Sequence, residues 1–379
     1  MIFNDYLVFV FITICVYLVL KVEKSSRLEK FTRWIPAILL AYLIPAIVNP
    51  LFLEIPESHL IHNLSMELLL PLTVLCAMSS ISLIDIKIVA GKPLVYFLLS
   101  SAIIAICPVI LIMIFSLTSS SFQEFLIIEK GYTSTLPVVG SWIGGSSSML
   151  VLKEIAKTPE SLFLSVLVLD NLIVNIWTLF LFQWIKKTPT FNKRFNRDEV
   201  NFKTEHINEK QKPNLWLSFV IIILTLGLSR LFDLSFLHKI ILFSFLGMLL
   251  ANLIPFWDHK SLQKLSKLLI ISVMSILGLK LNLNYLEFNP LLIIFLGMWM
   301  FIQFSLSFWL ALKMNISLVW VPLASMANVG GVSTAPAVAS AYDKRLMPHA
   351  IVLAIVSMVT GTFWGLITLQ LVKWLVPLI

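Results

Sequence analysis

Charge is scarce in this sequence. Asp, Glu, Lys and Arg make up 13% of its 379 residues, against about 25% in an ordinary soluble domain. That shortage excludes a water-soluble enzyme of usual composition. It also excludes a disordered chain, which is rich in charge and poor in apolar residues. Cysteine is sparse as well. Cys15, Cys76 and Cys107 all sit in apolar runs. Their number is odd and no pair has metal-ligand spacing, so neither a disulfide framework nor a zinc site is implied. They read as small buried hydrophobes. The start, Met1-Ile2-Phe3-Asn4-Asp5, lacks the basic region of a cleaved signal peptide, and the first apolar run is expected to persist as a helix. Metalloprotease and Gly-rich nucleotide motifs are also missing. ATP-driven pumping by this chain is therefore not expected, and the cofactor expectation is none beyond a coupling ion.

What is abundant is apolar surface: 59% of the residues are hydrophobic and the mean hydropathy is +0.94. Only helices and closed barrels satisfy their backbones in lipid. Barrel strands alternate apolar and polar residues, whereas the runs here are continuous. The expected fold is an all-α polytopic membrane protein. The net charge of +8 would suggest nucleic acid in a soluble protein. In a membrane protein Lys and Arg gather in cytoplasmic loops, so nucleic acid is not an expected partner. Lipid and a small-molecule solute are expected, and a homodimer stays open.

A helix needs about 20 apolar residues to cross a bilayer. Such runs lie near 6–20, 34–53, 64–84, 93–117 and 161–185, and again near 214–234, 238–254, 264–283, 290–312 and 349–376. Two further segments, 132–157 and 318–341, are only moderately apolar and rich in Gly, Ser, Thr and Pro. They read as broken or re-entrant elements. Between the halves lies 186–213, where 12 of 28 residues are charged; it reads as a charged cytoplasmic linker. The expected organisation is an N-terminal repeat, 1–185, this linker, and a C-terminal repeat, 214–379.

Each half shows four runs, a Gly-Gly segment and one long run, which is the signature of duplication. The first Gly-Gly lies in Gly140-Ser141-Trp142-Ile143-Gly144-Gly145-Ser146-Ser147-Ser148, the second in Ala327-Asn328-Val329-Gly330-Gly331-Val332-Ser333-Thr334-Ala335-Pro336. If all twelve segments cross, the 28 basic residues divide 14 inside and 14 outside. If each Gly-Gly segment enters and leaves by one face, the division is 21 inside and 7 outside. The positive-inside rule prefers the second arrangement, two inverted five-helix repeats with opposed re-entrant segments, as alternating access requires.

Among 20 acidic residues, Asp170 alone is placed far from a segment end. It lies roughly 13 Å into its run at 1.5 Å per residue, where a charge costs about 2.5–3.5 kcal/mol on insertion scales. Asn171, Asn175 and Thr178 share its helical sector. The functional reading is a cation or proton site, with Asp170 as carboxylate ligand or proton carrier and Asn171 and Asn175 as amide ligands. The other reading is a protonated Asp satisfied by neighbouring helices. The Gly-Gly segments are the second candidate. Glycine lets the backbone unwind and approach a ligand; freed carbonyls coordinate Na+ while half-helix N-termini face an anion. Gly144, Gly145, Ser146, Ser147 and Ser148, with Asn328, Gly330, Gly331, Ser333 and Thr334, form the expected substrate site. Close helix packing by small residues is the competing reading. Gln303, Ser305 and Ser307 form a weaker polar patch. Two rival classes stay open: a channel lined by Asp170, and an intramembrane hydrolase using a serine of 146–148 with His349 as base.

The Gly-Gly-Ser segment with its following Lys-Glu-Ile-Ala and Asp170-Asn171, and above all Ala327-Asn328-Val329-Gly330-Gly331-Val332-Ser333-Thr334-Ala335-Pro336-Ala337-Val338-Ala339, resemble a bacterial integral membrane family known as domain of unknown function 819, or YjcL-like. The likeness covers essentially the whole chain. In layout that family is similar to the glutamate–sodium and bile acid–sodium symporter groups. The resemblance implies inverted five-helix repeats whose interrupted segments meet at a substrate site lined by Gly144, Gly145, Gly330 and Gly331. This chain has Gly-Gly-Ser and Gly-Gly-Val where glutamate carriers have Gly-Gly-x-Gly, which speaks against glutamate itself. The expectation is a cation-coupled secondary transporter of the bacterial cytoplasmic membrane, moving a small organic, anionic solute such as an amino acid, dicarboxylate or small peptide. Na+ and H+ are equally compatible with the sequence.

Overall fold

The computed structural model describes residues 2–25, 37–49, 60–80, 89, 91–197, 214–229, 234–279 and 289–378. Among these the chain is helical throughout, with no strand. The main elements are α1 (Ile2–Lys24), α2 (Ala37–Val48), α3 (Leu60–Ser79), α4 (Lys92–Thr118), α5 (Gly131–Ala156) and α6 (Glu160–Arg194). There follow α7 (Leu215–Ser229), α8 (Phe236–Leu253), α9 (His259–Gly278), α10 (Pro290–Lys313), α11 (Trp320–Val329), α12 (Gly331–Ser340) and α13 (Met347–Leu375). Eight helices among the described residues are long and apolar enough to cross a membrane: α1, α3, α4, α5, α6, α9, α10 and α13. Seven coincide with expected runs, and the eighth is the first Gly-Gly segment. The remaining expected runs, 34–53, 214–234 and 238–254, contain the shorter apolar helices Leu39–Val48, Leu215–Gly227 and His238–Leu253.

Helix starts follow the local chemistry. Asp258 caps α9 by accepting from Ser261 N at 3.0 Å, and Asn289 caps α10 by accepting from Leu291 N at 2.9 Å. In each case a side-chain oxygen satisfies an orphan N–H of the first turn. Proline occupies the first turn of α4, α10 and α13, where its missing N–H does no harm. Helix α6 is 35 residues long, roughly 52 Å at 1.5 Å per residue, well beyond a hydrocarbon core of about 30 Å. The expected boundary at 185/186 therefore falls inside a helix that runs on to Arg194. Lys186, Lys187, Lys193 and Arg194 are good helix formers, so charge did not end it. Residues 198–213 of the expected linker lie outside the described residues.

The chain forms two compact units. One comprises Met1–Ser82, Pro159–Asn171 and Lys210–Glu287; the other comprises Leu83–Thr158, Leu172–Glu209 and Phe288–Ile379. Each draws on both halves of the sequence. In the first unit α9 packs against α1, α2 and α3, and α3 also receives α7 and α8. Leu75, Ile222, Phe243, Trp257 and Leu262 are buried together. Orphan carbonyls at helix C-terminal ends find side-chain donors here: Trp257 Nε1 donates to Ser79 O at 2.7 Å, and Asn49 Nδ2 to Leu279 O at 2.7 Å. The Tyr42 hydroxyl donates to the Glu160 carboxylate at 2.8 Å.

In the second unit α13 packs against α4, α5, α11 and α12, and α10 lies against α4 and α11. Pro108 interrupts α4 and supplies no N–H to Ile104 O four residues earlier. Trp299 Nε1 donates to that carbonyl at 3.1 Å, and its ring meets that of Trp142 at 4.5 Å between centroids. Leu99, Ile106, Ile110 and Leu117 of α4 and Ile293, Phe301 and Trp309 of α10 are exposed. Apolar exposure on that scale, on helices of spanning length, is that of an all-helical multi-pass membrane protein.

Candidate functional site

Both Gly-Gly segments are broken helices, and both belong to the second unit. In α5 the helix widens into a π-turn over Gly140–Gly144, breaks, and resumes as Gly145–Ala156. Gly144 has φ −114° and ψ −6°. Gly145 has φ +73° and ψ −168°, a conformation essentially confined to glycine. At the second break α11 ends at Val329, Gly330 has φ −101° and ψ −14°, and Gly331 turns to φ +65° before α12 resumes. The two breaks thus share one backbone device: a first glycine near the right-handed region, then a second with positive φ. The likeness extends to side chains. Gly145 and Gly331 have open space where a Cβ would stand. Gly144 and Gly330 do not; the hydroxyl four residues on, from Ser148 or Thr334, folds back over each.

The surroundings of the breaks differ. Around the first, α13 lies backbone against backbone, with a Cβ on Gly361 falling 2.1 Å from Gly144 Cα. Ser148 Oγ and Thr362 Oγ1 are 2.9 Å apart and share a hydrogen bond. The Ser357 hydroxyl reaches Ile143 O. The Ser148 hydroxyl and the Ile143 carbonyl at this break are therefore partnered. At the second, Asn328 is 2% exposed. Its Oδ1 faces Ser101 Oγ at 3.0 Å and Ser357 Oγ at 2.7 Å. Its Nδ2, and Thr334 Oγ1, are buried without a hydrogen-bond partner. Leaving a buried polar atom unsatisfied costs about 1–3 kcal/mol, which marks these two atoms as candidates to meet a ligand. Ser325, one turn before Asn328, accepts from Trp177 Nε1 of α6 at 2.9 Å.

Of the expected substrate residues, Gly144, Gly145, Ser146, Ser147 and Ser148 line the first break, and Asn328, Gly330, Gly331 and Thr334 the second. The side chain of Ser333 lies outside the described residues. Ser146 is half-buried, while Ser147 and Ser148 are buried. The four residues of the expected polar sector lie within α6. Asp170, Asn171, Asn175 and Thr178 are half-buried, while Leu172, Ile176 and Leu179 form the exposed stripe. Asp170, Asn171 and Asn175 each have interacting partners. The Thr178 hydroxyl donates to Val174 O at 2.7 Å. In the weaker patch Gln303 and Ser307 are buried and Ser305 is exposed. His349 Nδ1 lies 3.2 Å from Arg345 O, and the Ser148 hydroxyl has Thr362 as its neighbour rather than a base.

Several residues at the breaks escaped the sequence reading: Ser101, Ser357, Gly361 and Thr362. Each is a small residue inside a long apolar run, and that interruption is the signal that could have found them. Lys153 escaped too. It is 3% exposed, its ammonium 2.8 Å from the Glu154 carboxylate, in the last turn of the helix that leaves the first break, where a cation is favoured by the helix dipole.

An all-helical, multi-pass chain with two like breaks in one unit defines a class of membrane protein by its architecture. The particular family follows from the sequence. Residues 8–375 match the family described as "Protein of unknown function (DUF819)", and the chain belongs to that family. No curated protein matches it.

Proposed function

We propose that this protein is a secondary active transporter that couples a cation, Na+ or H+, to the movement of a small organic, anionic solute across a bacterial cytoplasmic membrane. The observation that carries the reading is the pair of helix breaks at Gly-Gly, each with a second glycine of positive φ, both packed against α13. Irregular backbone at membrane depth is tolerated only where it is buried in protein or lines a cavity. A duplicated break also matches the discontinuous helices from which carriers build their sites. In this reading the halves are inverted repeats and the Gly-Gly segments serve as opposed gates. The half-helix that starts at each second glycine offers N–H groups to an anionic solute. Asp170 is the carboxylate whose neutralisation by the coupling ion favours closure. The partnering of Ser148 with Thr362 favours transport over hydrolysis, and the duplication favours alternating gates over a channel.

The test is uptake by the purified, reconstituted protein under Na+ or H+ gradients, with solutes chosen by a thermal-shift screen of organic acids, amino acids and peptides. Gradient-driven, saturable uptake is expected, lost in Gly145→Val and Gly331→Val with insertion intact and uncoupled in Asp170→Asn. Large single-channel currents, or hydrolysis of a stabilising compound, would replace the proposal by one of its rivals.

A further inference from the structure

Proton bookkeeping around Asn328 carries a more specific conclusion. Ser101 Oγ lies 3.1 Å from Phe97 O and 3.0 Å from Asn328 Oδ1. Ser357 Oγ reaches Ile143 O and lies 2.7 Å from Asn328 Oδ1. That is four oxygen–oxygen contacts and two hydroxyls, each with a single proton to give. Two of the four contacts would then be unprotonated, while Asn328 Nδ2, with two protons, donates to nothing. The two ends of an amide are told apart by their hydrogen bonds alone. Turning this amide end for end repairs every contact. Ser101 donates to Phe97 O and Ser357 to Ile143 O, and Nδ2 donates one proton to each serine oxygen. The carbonyl oxygen then takes the buried position opposite, as an unpaired acceptor.

We propose that Asn328 presents this carbonyl oxygen, with the Thr334 hydroxyl oxygen, as ligands for an alkali-metal cation at the second helix break. Three further observations agree. Asn328 lies in the last turn of α11, the end of a half-helix that carries orphan carbonyls and partial negative charge. Thr334 Oγ1, across the break, is the other buried polar atom there without a partner. Gly331, between them, has open space where a side chain would stand. Both side-chain donors are neutral oxygens. Hard divalent cations favour carboxylates, and neither group titrates, so the set suits a monovalent metal ion rather than a proton. Ser357 links the site to the first break, because the proton it withholds from Asn328 is the one it gives to Ile143 O.

The ion site needs no transport to be tested; its role in coupling rests on the proposed transporter. The full chain in detergent is titrated with NaCl, KCl and choline chloride at constant ionic strength, reading thermal stability and binding of radioactive Na+. Saturable stabilisation by Na+ or K+, and not by choline, is expected. Asn328→Asp keeps an oxygen in place and should retain the response or tighten it. Asn328→Leu and Thr334→Val should weaken it at least about tenfold, as loss of a ligand-shell group does, in protein that still elutes as a single species. Equal responses to all three salts would overturn the proposal, as would an unchanged response in Asn328→Leu. So would stabilisation by an organic anion that Asn328→Asp abolishes, since that shows the amide N–H facing the ligand. Gradient-driven uptake that survives Asn328→Leu refutes this site and leaves the transporter standing. Specific cation binding without gradient-driven uptake of any stabilising solute does the reverse.

Discussion

The two helix breaks both turn on a second glycine of positive φ, yet one is closed by its neighbours and the other is not. At the first, Gly144 lies against Gly361, Ser148 is bonded to Thr362, and Ile143 O receives Ser357. At the second, the atoms crowding Gly330 belong to the Met326 and Thr334 side chains rather than to a facing backbone, and an amide end and a hydroxyl lack partners. A duplicated motif thus fixes the backbone twice, while the side chains around it decide which copy is locked and which can exchange partners. In the proposed carrier the first break is the more tightly packed of the two gates, and the second is the one proposed to hold an alkali-metal cation.

The sharpest way to break this contrast is to add one carbon atom. Gly361→Ala places a methyl group 2.1 Å from Gly144 Cα, where the obstacle is backbone and cannot rotate away. Overpacking of this kind costs about 1–3 kcal/mol, sometimes more, and should lower the melting temperature of the detergent-purified protein by several degrees. Gly330→Ala meets side-chain atoms of Met326 and Thr334 and no facing backbone, and should cost less than Gly361→Ala. Equal losses in the two variants would show that the breaks are packed alike.

Next in size is the strain at the second glycine. Gly145→Ala meets no neighbouring atom, so its whole effect is conformational, about 1–3 kcal/mol for a side chain held at φ +73° and ψ −168°. Gly331→Ala should lose a comparable amount, by the same cause. A loss at Gly145 near zero, by thermal or denaturant unfolding, would mean that the break relaxes when the side chain is added and that its geometry is not enforced by the surrounding helices.

Hydroxyl deletion separates the breaks by sign. Ser148→Ala removes half of a buried pair and should lower stability by about 1 kcal/mol. Thr334→Val keeps the shape and removes an oxygen that has no protein partner, so in cation-free buffer it should be neutral or stabilising. A loss as large as that of Ser148→Ala would mean that Thr334 has a partner within the protein.

How much of this could be read from residues alone follows the range of the interactions. The breaks were legible because Gly-Gly beside Ser, Thr and Pro is a local signal, and it recurs at the same place in each half. The polar sector of α6 was legible because Asp170, Asn171 and Asn175 obey a helical period within one segment. The Asn328 cluster was not. It joins Asn328 to Ser101, 227 residues before it, and to Ser357, 29 residues after it on another helix, and each serine taken singly looks like an ordinary small residue of an apolar helix. The length of α6 is not legible for the opposite reason: hydropathy falls at Lys186, but the helix runs on to Arg194. Lys153 was missed because nothing in its neighbouring sequence reports its burial.

The last and smallest contrast concerns the exits from the breaks. The helix leaving the first break ends at Lys157 in the left-handed region, and Thr158 Oγ1 then donates to Thr133 O at 2.8 Å, a buried tie back to the entry of the same segment. Neither the hydroxyl nor the carbonyl titrates at any ordinary pH. Beyond α12 the corresponding exit carries an exposed ion pair, Arg345 Nη2 to Asp343 Oδ2 at 2.7 Å, and the Arg345 hydrogen bonds hold the Asp343 carboxyl below its ordinary value of 3.8. A carboxyl depressed in the folded state contributes stability above its unfolded value, and that contribution fades as pH falls through the folded one. Arg345→Ala should therefore leave the melting temperature near neutral pH almost unchanged, because an exposed pair is weak and screened by salt, and should flatten slightly its fall as pH drops below 3.8. The corresponding change at the first exit, Thr158→Val, should shift stability by the same amount at every pH. If Thr158→Val altered the pH profile, or Arg345→Ala left its acid limb untouched, the two exits would not differ in the way their chemistry requires.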